Sequence, residues 1–173
     1  EVMQLFSIGL SQLDASGQSI LDGLGQSIPT YDQTTITETA RALTGWTYPA
    51  VFPPSNELVD FLDTYPRFGP MEPWPAFHDF GAKTIVGGAV LPANQSPQED
   101  GDSVLDALAA HPNVGPFLGR QLIQRLVTSN PSPAYVARGA AVWDDDGSGV
   151  RGNLEAVVLA ILLDTEALNG HST

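Results

Sequence analysis

The chain has 173 residues, the size of one domain, and 42% hydrophobic and 16% charged residues indicate a globular protein rather than a disordered one. Seven Lys and Arg against 20 Asp and Glu give a net charge of -13, which would repel a phosphate backbone, so we expect no nucleic-acid partner. Cysteine is absent, which excludes disulfides and thiolate metal sites.

The first segment, EVMQLFSIGL, has helical apolar spacing and predicts a helix that ends at Gly9. Because a helix seldom starts at the first residue without a cap, we interpret residues 1–173 as a single domain fragment, the C-terminal part of a larger helical domain. The upstream part of the same chain is then an expected partner. The longest apolar run, Ala156 to Leu163, is too short to span a bilayer, so no transmembrane segment is predicted.

Residues 10–31 contain the tetrapeptide GQSI twice, eight residues apart, with turn-forming Asp and Gly residues before each copy. This pattern predicts a small β-hairpin insertion or a short meander. Two short copies are too few for a solenoid or another repeat architecture.

The next segment predicts a helix in which Thr35 and Glu38 have capping-box spacing and Gly45 provides the stop. Clustered prolines in residues 48–76 then predict an irregular crossover with one short helix near Glu57 to Thr64. Its aromatic residues are too apolar for a free linker, so we expect an ordered excursion.

The stretch AFHDFGAKTIVGG places His78, Asp79 and the single lysine, Lys83, within six residues flanked by glycines. It predicts an irregular turn followed by a short strand at Thr84 to Val86. In one interpretation Asp79 caps backbone N–H groups and Lys83 neutralises its charge, which is a structural role. In the other, the histidine beside a carboxylate is an acid–base or metal-binding pair.

Residues 102–167 predict four helices joined by short loops, and the last of them is apolar enough to be buried nearly all round. The predicted helices are Ser103–Ala110 behind Asp102, Val114–Val127 behind Asn113, Pro133–Trp143 behind Ser132, and Leu154–Ala167. The predicted fold is therefore mainly α, a multi-helical orthogonal bundle with a small β-hairpin insertion and a proline-rich irregular crossover.

One of these helices has a polar arc formed by Arg120, Gln121, Gln124 and Arg125. The arc is either a solvated face or, in a chain with seven cations, a pair of arginines that grips carboxylates.

The loop DDDGSGVRGNLE resembles the pattern of a calcium-binding loop, because oxygen-bearing side chains and a glycine stand at the required spacing. Its candidate ligands are Asp144, Asp146, Ser148 and Glu155. Arg151 and Gly152 depart from the pattern. The alternative is an acidic turn between two helices in which Asn153 caps the second helix.

Other sequence motifs are incomplete. GAKT at Gly81 to Thr84 lacks the spacing of a phosphate-binding loop, and no nucleophile elbow of the form G-x-S-x-G occurs. His111 and His171 are interpreted as surface or capping histidines, because the chain has too few suitably spaced ligands for zinc.

Several segments, in this order, resemble the C-terminal portion of a bacterial family known as domain of unknown function 1800. They are EVMQLFSIGL, ITETARALTGW, FHDFGAKTIVGG, LPANQ, HPNVGPFLGRQLIQRLVTSNPSPAYVARGAAVW and GSGVRGNLEAVVLAILLDTEA. The resemblance implies a longer helical domain upstream and an extracytoplasmic protein, periplasmic, cell-surface or secreted. It also implies a sulfatase-like exported partner or a larger assembly. No catalytic set comes with it.

Two functional hypotheses follow. The first is an exported binding or assembly component of the cell envelope or extracellular space. The second is a cell-envelope hydrolase whose active site is shared with the upstream half. For the second, the resemblance would place Glu1 and Arg41 in the same domain as His78, Asp79 and Lys83, and these five residues are the catalytic candidates.

Overall fold

The computed structural model describes residues 1–49 and 69–170, and the chain is mainly α-helical, as predicted. Two compact units are present: Glu1–Thr30 with Leu108–Thr173, and Tyr31–Ala107. No helix in the described ranges is long and apolar enough to cross a membrane. The short helix predicted near Glu57 to Thr64 lies outside the described residues.

The described α-helices, in chain order, are α1 (Gln33–Ala42), α2 (Pro97–Ala110), α3 (Val114–Leu126), α4 (Pro133–Asp144), α5 (Leu154–Leu162) and α6 (Thr165–Leu168). The described strands are β1 (Trp46–Thr47), β2 (Glu72–Pro73), β3 (Lys83–Thr84) and β4 (Val90–Leu91). A π-helix spans Val2–Ser7, and 3₁₀ turns span Pro75–Phe77 and Val86–Gly88.

In the first unit, α3 packs on α4 and α4 packs on α5. Glycine on α3 permits the close approach: a Cβ at Gly115 would lie 3.1 Å from the backbone oxygen of Ala140. The buried Tyr135 donates its hydroxyl to the oxygen of Ile161 at 2.6 Å, which ties α4 to α5. Burial raises the pKa of Tyr135, because the charged phenolate would lose its hydration there.

The predicted hairpin insertion is a closed ring of three antiparallel bridges rather than one hairpin. Two turns are closed by Leu13 against Ser19 and by Leu21 against Ser27, and Ser11 bridges Pro29 to complete the ring. Three backbone hydrogen bonds inside the ring form a cycle: the Gln12 N–H donates to the oxygen of Ile28, the Ile28 N–H to that of Ile20, and the Ile20 N–H to that of Gln12. The eight-residue spacing of GQSI therefore corresponds to successive corners of this ring.

The second unit contains α1, α2 up to Ala107 and two antiparallel strand pairs. Trp46 pairs with Pro73 in β1–β2, and Lys83 pairs with Leu91 in β3–β4. The predicted strand at residues 84–86 is shorter and earlier than expected, because positive-φ glycines turn the chain into a 3₁₀ turn at Val86–Gly88.

Two helix starts differ from prediction. Helix α1 is capped by Asp32, whose carboxylate accepts the Thr35 N–H at 2.8 Å, so the predicted capping box at Thr35 and Glu38 is wrong. Helix α2 begins at Pro97, six residues before the predicted start. Ser96 and Glu99 form a reciprocal capping box there, a local signal that the sequence contained.

The last predicted helix is two helices: α5 ends at Leu162 with Leu163 as its C-cap, and Asp164 then caps α6 by accepting the Glu166 N–H at 2.8 Å. It is not buried all round. Val157 and Ile161 are buried, whereas Leu159, Leu162 and Leu163 are 50%, 43% and 64% exposed. In contrast, the predicted start of α4 is confirmed, with Ser132 as its cap and Pro133 in its first turn.

Candidate functional site

Lys83, a sequence-predicted site residue, lies in the core of the second unit. Its Nζ donates to Asp100 Oδ2 at 2.6 Å, to the oxygen of Gly81 at 2.9 Å and to the oxygen of Asp79. The side chains of Lys83 and Asp100 are 1% and 0% exposed. Three acceptors satisfy the three N–H donors of an ammonium group, so Lys83 is held as a fully paired buried cation.

His78 lies beside this ion pair and is also buried. Its Nδ1 is 3.0 Å from the backbone oxygen of Thr44, which can only accept, so Nδ1 carries the proton. Nε2 lies 3.2 Å from Asp100 Oδ2 but forms no hydrogen bond in this arrangement. Gly45 lets His78 lie close to the backbone at residue 45, because Gly45 has φ +82° and a Cβ there would lie 3.1 Å from His78 Cβ.

Asp79 and Arg41 form a second, more exposed pair. Arg41 Nε and Nη2 donate to the two carboxylate oxygens of Asp79 at 2.7 and 3.0 Å, and its Nη1 donates to Glu38 at 2.8 Å. The Asp79 carboxylate also accepts the Gly81 N–H at 2.8 Å. Arg41 therefore holds the pKa of Asp79 well below its usual range, and Asp79 raises the pKa of Arg41.

The structure thus brings together four of the five predicted catalytic candidates, Arg41, His78, Asp79 and Lys83. Asp79 accepts a backbone N–H as the turn interpretation expects, but Arg41 supplies the charge that its carboxylate binds. Glu1 belongs to the other compact unit, where its backbone oxygen accepts the Leu5 N–H. The buried residues stabilise the second unit, and their side chains have no surface on which a substrate could lie.

The loop at residues 144–155 uses its carboxylates for internal bonds. Asp144 pairs with Arg151, and Asp146 accepts the Ser148 N–H at 2.9 Å and the Asn153 amide at 2.8 Å. Asn153 also caps α5. Within residues 1–49 and 69–170, no group of three or more His, Asp or Glu side chains is placed to hold a metal ion. This geometry favours the acidic-turn interpretation, and the calcium site with Ser148 and Glu155 stays a prediction.

The other predicted histidines have structural surroundings or lie outside the description. His111 Nδ1 accepts the Asn113 N–H at 3.1 Å, and burial lowers the pKa of His111. His171 lies outside the described residues.

An open groove in the first unit was not predicted as a site. It has a volume of about 510 Å³. The π-helix, the residues that follow it and the ring form one side of the groove, and α3 forms the other. We call it the Arg120 groove; its lining residues are Gln4, Leu5, Gly9, Leu10, Ser11, Leu13, Gly17, Phe117, Arg120, Gln121 and Gln124. Three of the four residues of the predicted polar arc therefore line a groove rather than a featureless solvated face.

The buried Asn113 fixes the ring against the start of α3. Its side chain accepts the Leu13 N–H at 3.0 Å and donates to the backbone oxygens of Ile8 and Ser11 at 2.8 and 2.7 Å. These bonds satisfy backbone groups about a hundred positions away in the chain. Asn113 is the predicted cap of α3, but its side chain makes no cap hydrogen bond and instead bonds to Ser11 and Leu13, which line the groove.

Arg120 is exposed in the groove and, among residues 1–49 and 69–170, makes one hydrogen bond, from Nη1 to the oxygen of Gly17 at 3.3 Å. No carboxylate in the described part of the chain lies within ion-pair distance of it, whereas Arg41, Arg138 and Arg151 each have at least one. Most of its five N–H donors are therefore available to a ligand.

A second cavity of about 410 Å³ begins on the other side of Arg120. Its lining is more polar than that of the Arg120 groove and comprises Ser16, Gln18, Arg120, Asn130, Pro131, Ser132, Pro133 and Val136. The N-terminus of α4 at this cavity is already occupied, because Glu166 accepts from both the backbone and the hydroxyl of Ser132. We call this cavity the polar pocket.

Over residues 1–173 the sequence matches the family described as "Protein of unknown function (DUF1800)". The chain belongs to this family. Neither the curated proteins nor the solved structures include a significant match to it. Family membership confirms the resemblance found in the sequence. The family's description names no function, and a fold does not by itself imply one.

Proposed function

We propose that this DUF1800 protein is a binding component of an assembly in the bacterial envelope or outside the cell, and that it holds its partner in the Arg120 groove. The supporting observation is the groove itself, in which aliphatic walls surround an arginine without an ion pair among the described residues. Apolar surface with a few convergent polar groups is typical of binding sites, and arginine is enriched where proteins meet.

The exposed leucines of α5 also support a role in assembly. Leu159, Leu162 and Leu163 are close in sequence on a helix that was expected to be buried, and each remains substantially exposed. Exposed apolar patches of this kind mark interaction surfaces more often than isolated exposed residues do. The acidic composition with one lysine and no cysteine is compatible with the proposed extracytoplasmic location.

Selection from a random octapeptide library displayed with free C-termini tests the proposal. The immobilised full chain should enrich a recurring peptide pattern, and Leu10→Asp should abolish the enrichment because it puts a charge on the apolar wall of the groove. Leu24→Asp is the matched control: Leu24 is an exposed leucine of the ring that does not line the groove. It should leave the selected pattern unchanged.

Absence of any enriched pattern with the folded wild-type chain would refute binding in the groove. An equal loss in both leucine variants would refute its location there. Circular dichroism of each variant verifies that the fold is retained.

A further inference from the structure

Building on the proposed function, we infer that the ligand of the Arg120 groove is an extended peptide with one carboxylate beside an aliphatic residue. The carboxylate is assigned to Arg120. Arg120 lines both the Arg120 groove and the polar pocket, and Gly17 accepts only one of its donors. A planar guanidinium matches a carboxylate through two parallel hydrogen bonds, which gives both affinity and orientation.

Carboxamide side chains that line the two cavities suit a peptide as the ligand. Gln4, Gln121 and Gln124 line the Arg120 groove, and Gln18 and Asn130 line the polar pocket. Each carboxamide can donate and accept, as can each unit of a peptide backbone, whereas a free carboxylate needs donors alone. The aliphatic residues on one side of Arg120 suit an apolar side chain of the ligand.

The two cavities share Arg120, so a ligand that fills both must be extended and must pass this residue. The apolar side chain then lies in the Arg120 groove, the carboxylate at Arg120 and a more polar segment in the polar pocket. The carboxylate is either the C-terminus of the peptide or an Asp or Glu side chain.

The charge of the protein limits how acidic the ligand can be. A net charge of -13 repels a strongly acidic segment, and this repulsion is long-ranged at low ionic strength. A single carboxylate surrounded by neutral residues gains the local pair with Arg120 while it adds little repulsion. We therefore expect peptides with one acidic group and no acidic run.

Fluorescence polarisation with a labelled peptide from the octapeptide selection tests the assignment. Arg120→Gln should weaken binding of the peptide at least tenfold, the loss expected for a charge-assisted bidentate contact. Arg125→Gln, on the same helix but outside both cavities, should change the affinity less than twofold. Amidation of the C-terminus and replacement of the acidic side chain, in separate peptides, identify which carboxylate is bound.

A peptide whose neutral form binds as tightly as its acidic form would overturn the inference and leave the proposed function intact. Equal losses of peptide affinity in Arg120→Gln and Arg125→Gln would also overturn the inference. Binding of uncharged oligosaccharides in the groove, with no peptide selected, would overturn both the inference and the proposed mode of assembly. Arg120→Lys should weaken binding less than Arg120→Gln does, and this result would support a charge interaction at this position.

Discussion

Lys83 in the second unit and Arg120 in the first are both cations, but their surroundings differ in burial and in the number of acceptors. Lys83 is buried and has three acceptors, one of them the carboxylate of Asp100. Arg120 is exposed and, in the described part of the chain, has one hydrogen bond, at 3.3 Å to the backbone oxygen of Gly17. A buried cation that uses all its donors within the protein stabilises the fold, whereas an exposed one with unused donors can bind a ligand. Internal pairing, rather than residue type, therefore marks Lys83 as a structural charge, and the exposed donors of Arg120 support the proposal that it binds a ligand.

The largest expected effect is on stability at the buried pair. Lys83→Met should lower the free energy of unfolding by about 3–5 kcal/mol, because it leaves the buried Asp100 carboxylate without a countercharge. Urea unfolding followed by tryptophan fluorescence in a Trp143→Phe background measures this, since Trp46 and Trp74 then report on the second unit.

The double variant Lys83→Met/Asp100→Leu is the control, because it removes both charges and should recover most of the lost stability. A loss below about 1 kcal/mol in the single variant would contradict the assignment of Lys83 as a structural cation.

A smaller effect is expected where the first unit holds its groove together. Asn113→Ala should cost about 2–3 kcal/mol, because the Leu13 N–H and the oxygens of Ile8 and Ser11 lose their buried partner. Thermal unfolding and hydrogen exchange of the Leu13 amide provide the measurement. The matched control is Asn153→Ala, which removes a helix cap and should cost about 1 kcal/mol without faster exchange at Leu13. Equal exchange in the two variants would disprove the bond.

The partly exposed pair of Arg41 and Asp79 should contribute in a pH-dependent way. The folded pKa of Asp79 is depressed, so its contribution is fully present above its unfolded pKa of about 4 and is lost as the pH falls through the folded pKa. Asp79→Asn should therefore lower the melting temperature at pH 7 and have a diminishing effect below pH 4. The difference in melting temperature between Arg41→Gln and the wild type should likewise become smaller below pH 4. If the difference in melting temperature between wild type and variant stays constant as the pH falls from 7 to below 4, the charge of the Asp79 carboxylate is not involved.

The smallest effect is expected at the acidic loop. Adding millimolar calcium to a chelated sample should shift the melting temperature by less than about 1 °C, because Asp144 and Asp146 are already bonded within the protein. A concentration-dependent rise with calcium but not magnesium, abolished by Asp146→Asn, would instead establish the calcium site.

The sequence by itself determined the family, the mainly α class and some of the helix ends that depend on local chemistry. Ser132 and Pro133 at the start of α4 and the positive-φ Gly9 after the first helical segment were correctly predicted, because caps and stops act over a few residues. The start of α2 at Ser96 was equally predictable from its capping-box spacing.

The tertiary structure alone decided which polar residues meet. Lys83 pairs with an aspartate 17 residues away, and Asn113 binds backbone groups 100 to 105 residues away. The local pattern gave no signal for either, so Asp79 looked like the partner of Lys83 and Asn113 like a simple cap. Long-range pairing depends on how helices and turns pack. Packing also left Arg120 in a groove with no carboxylate partner among the described residues, while it buried Lys83 in a core.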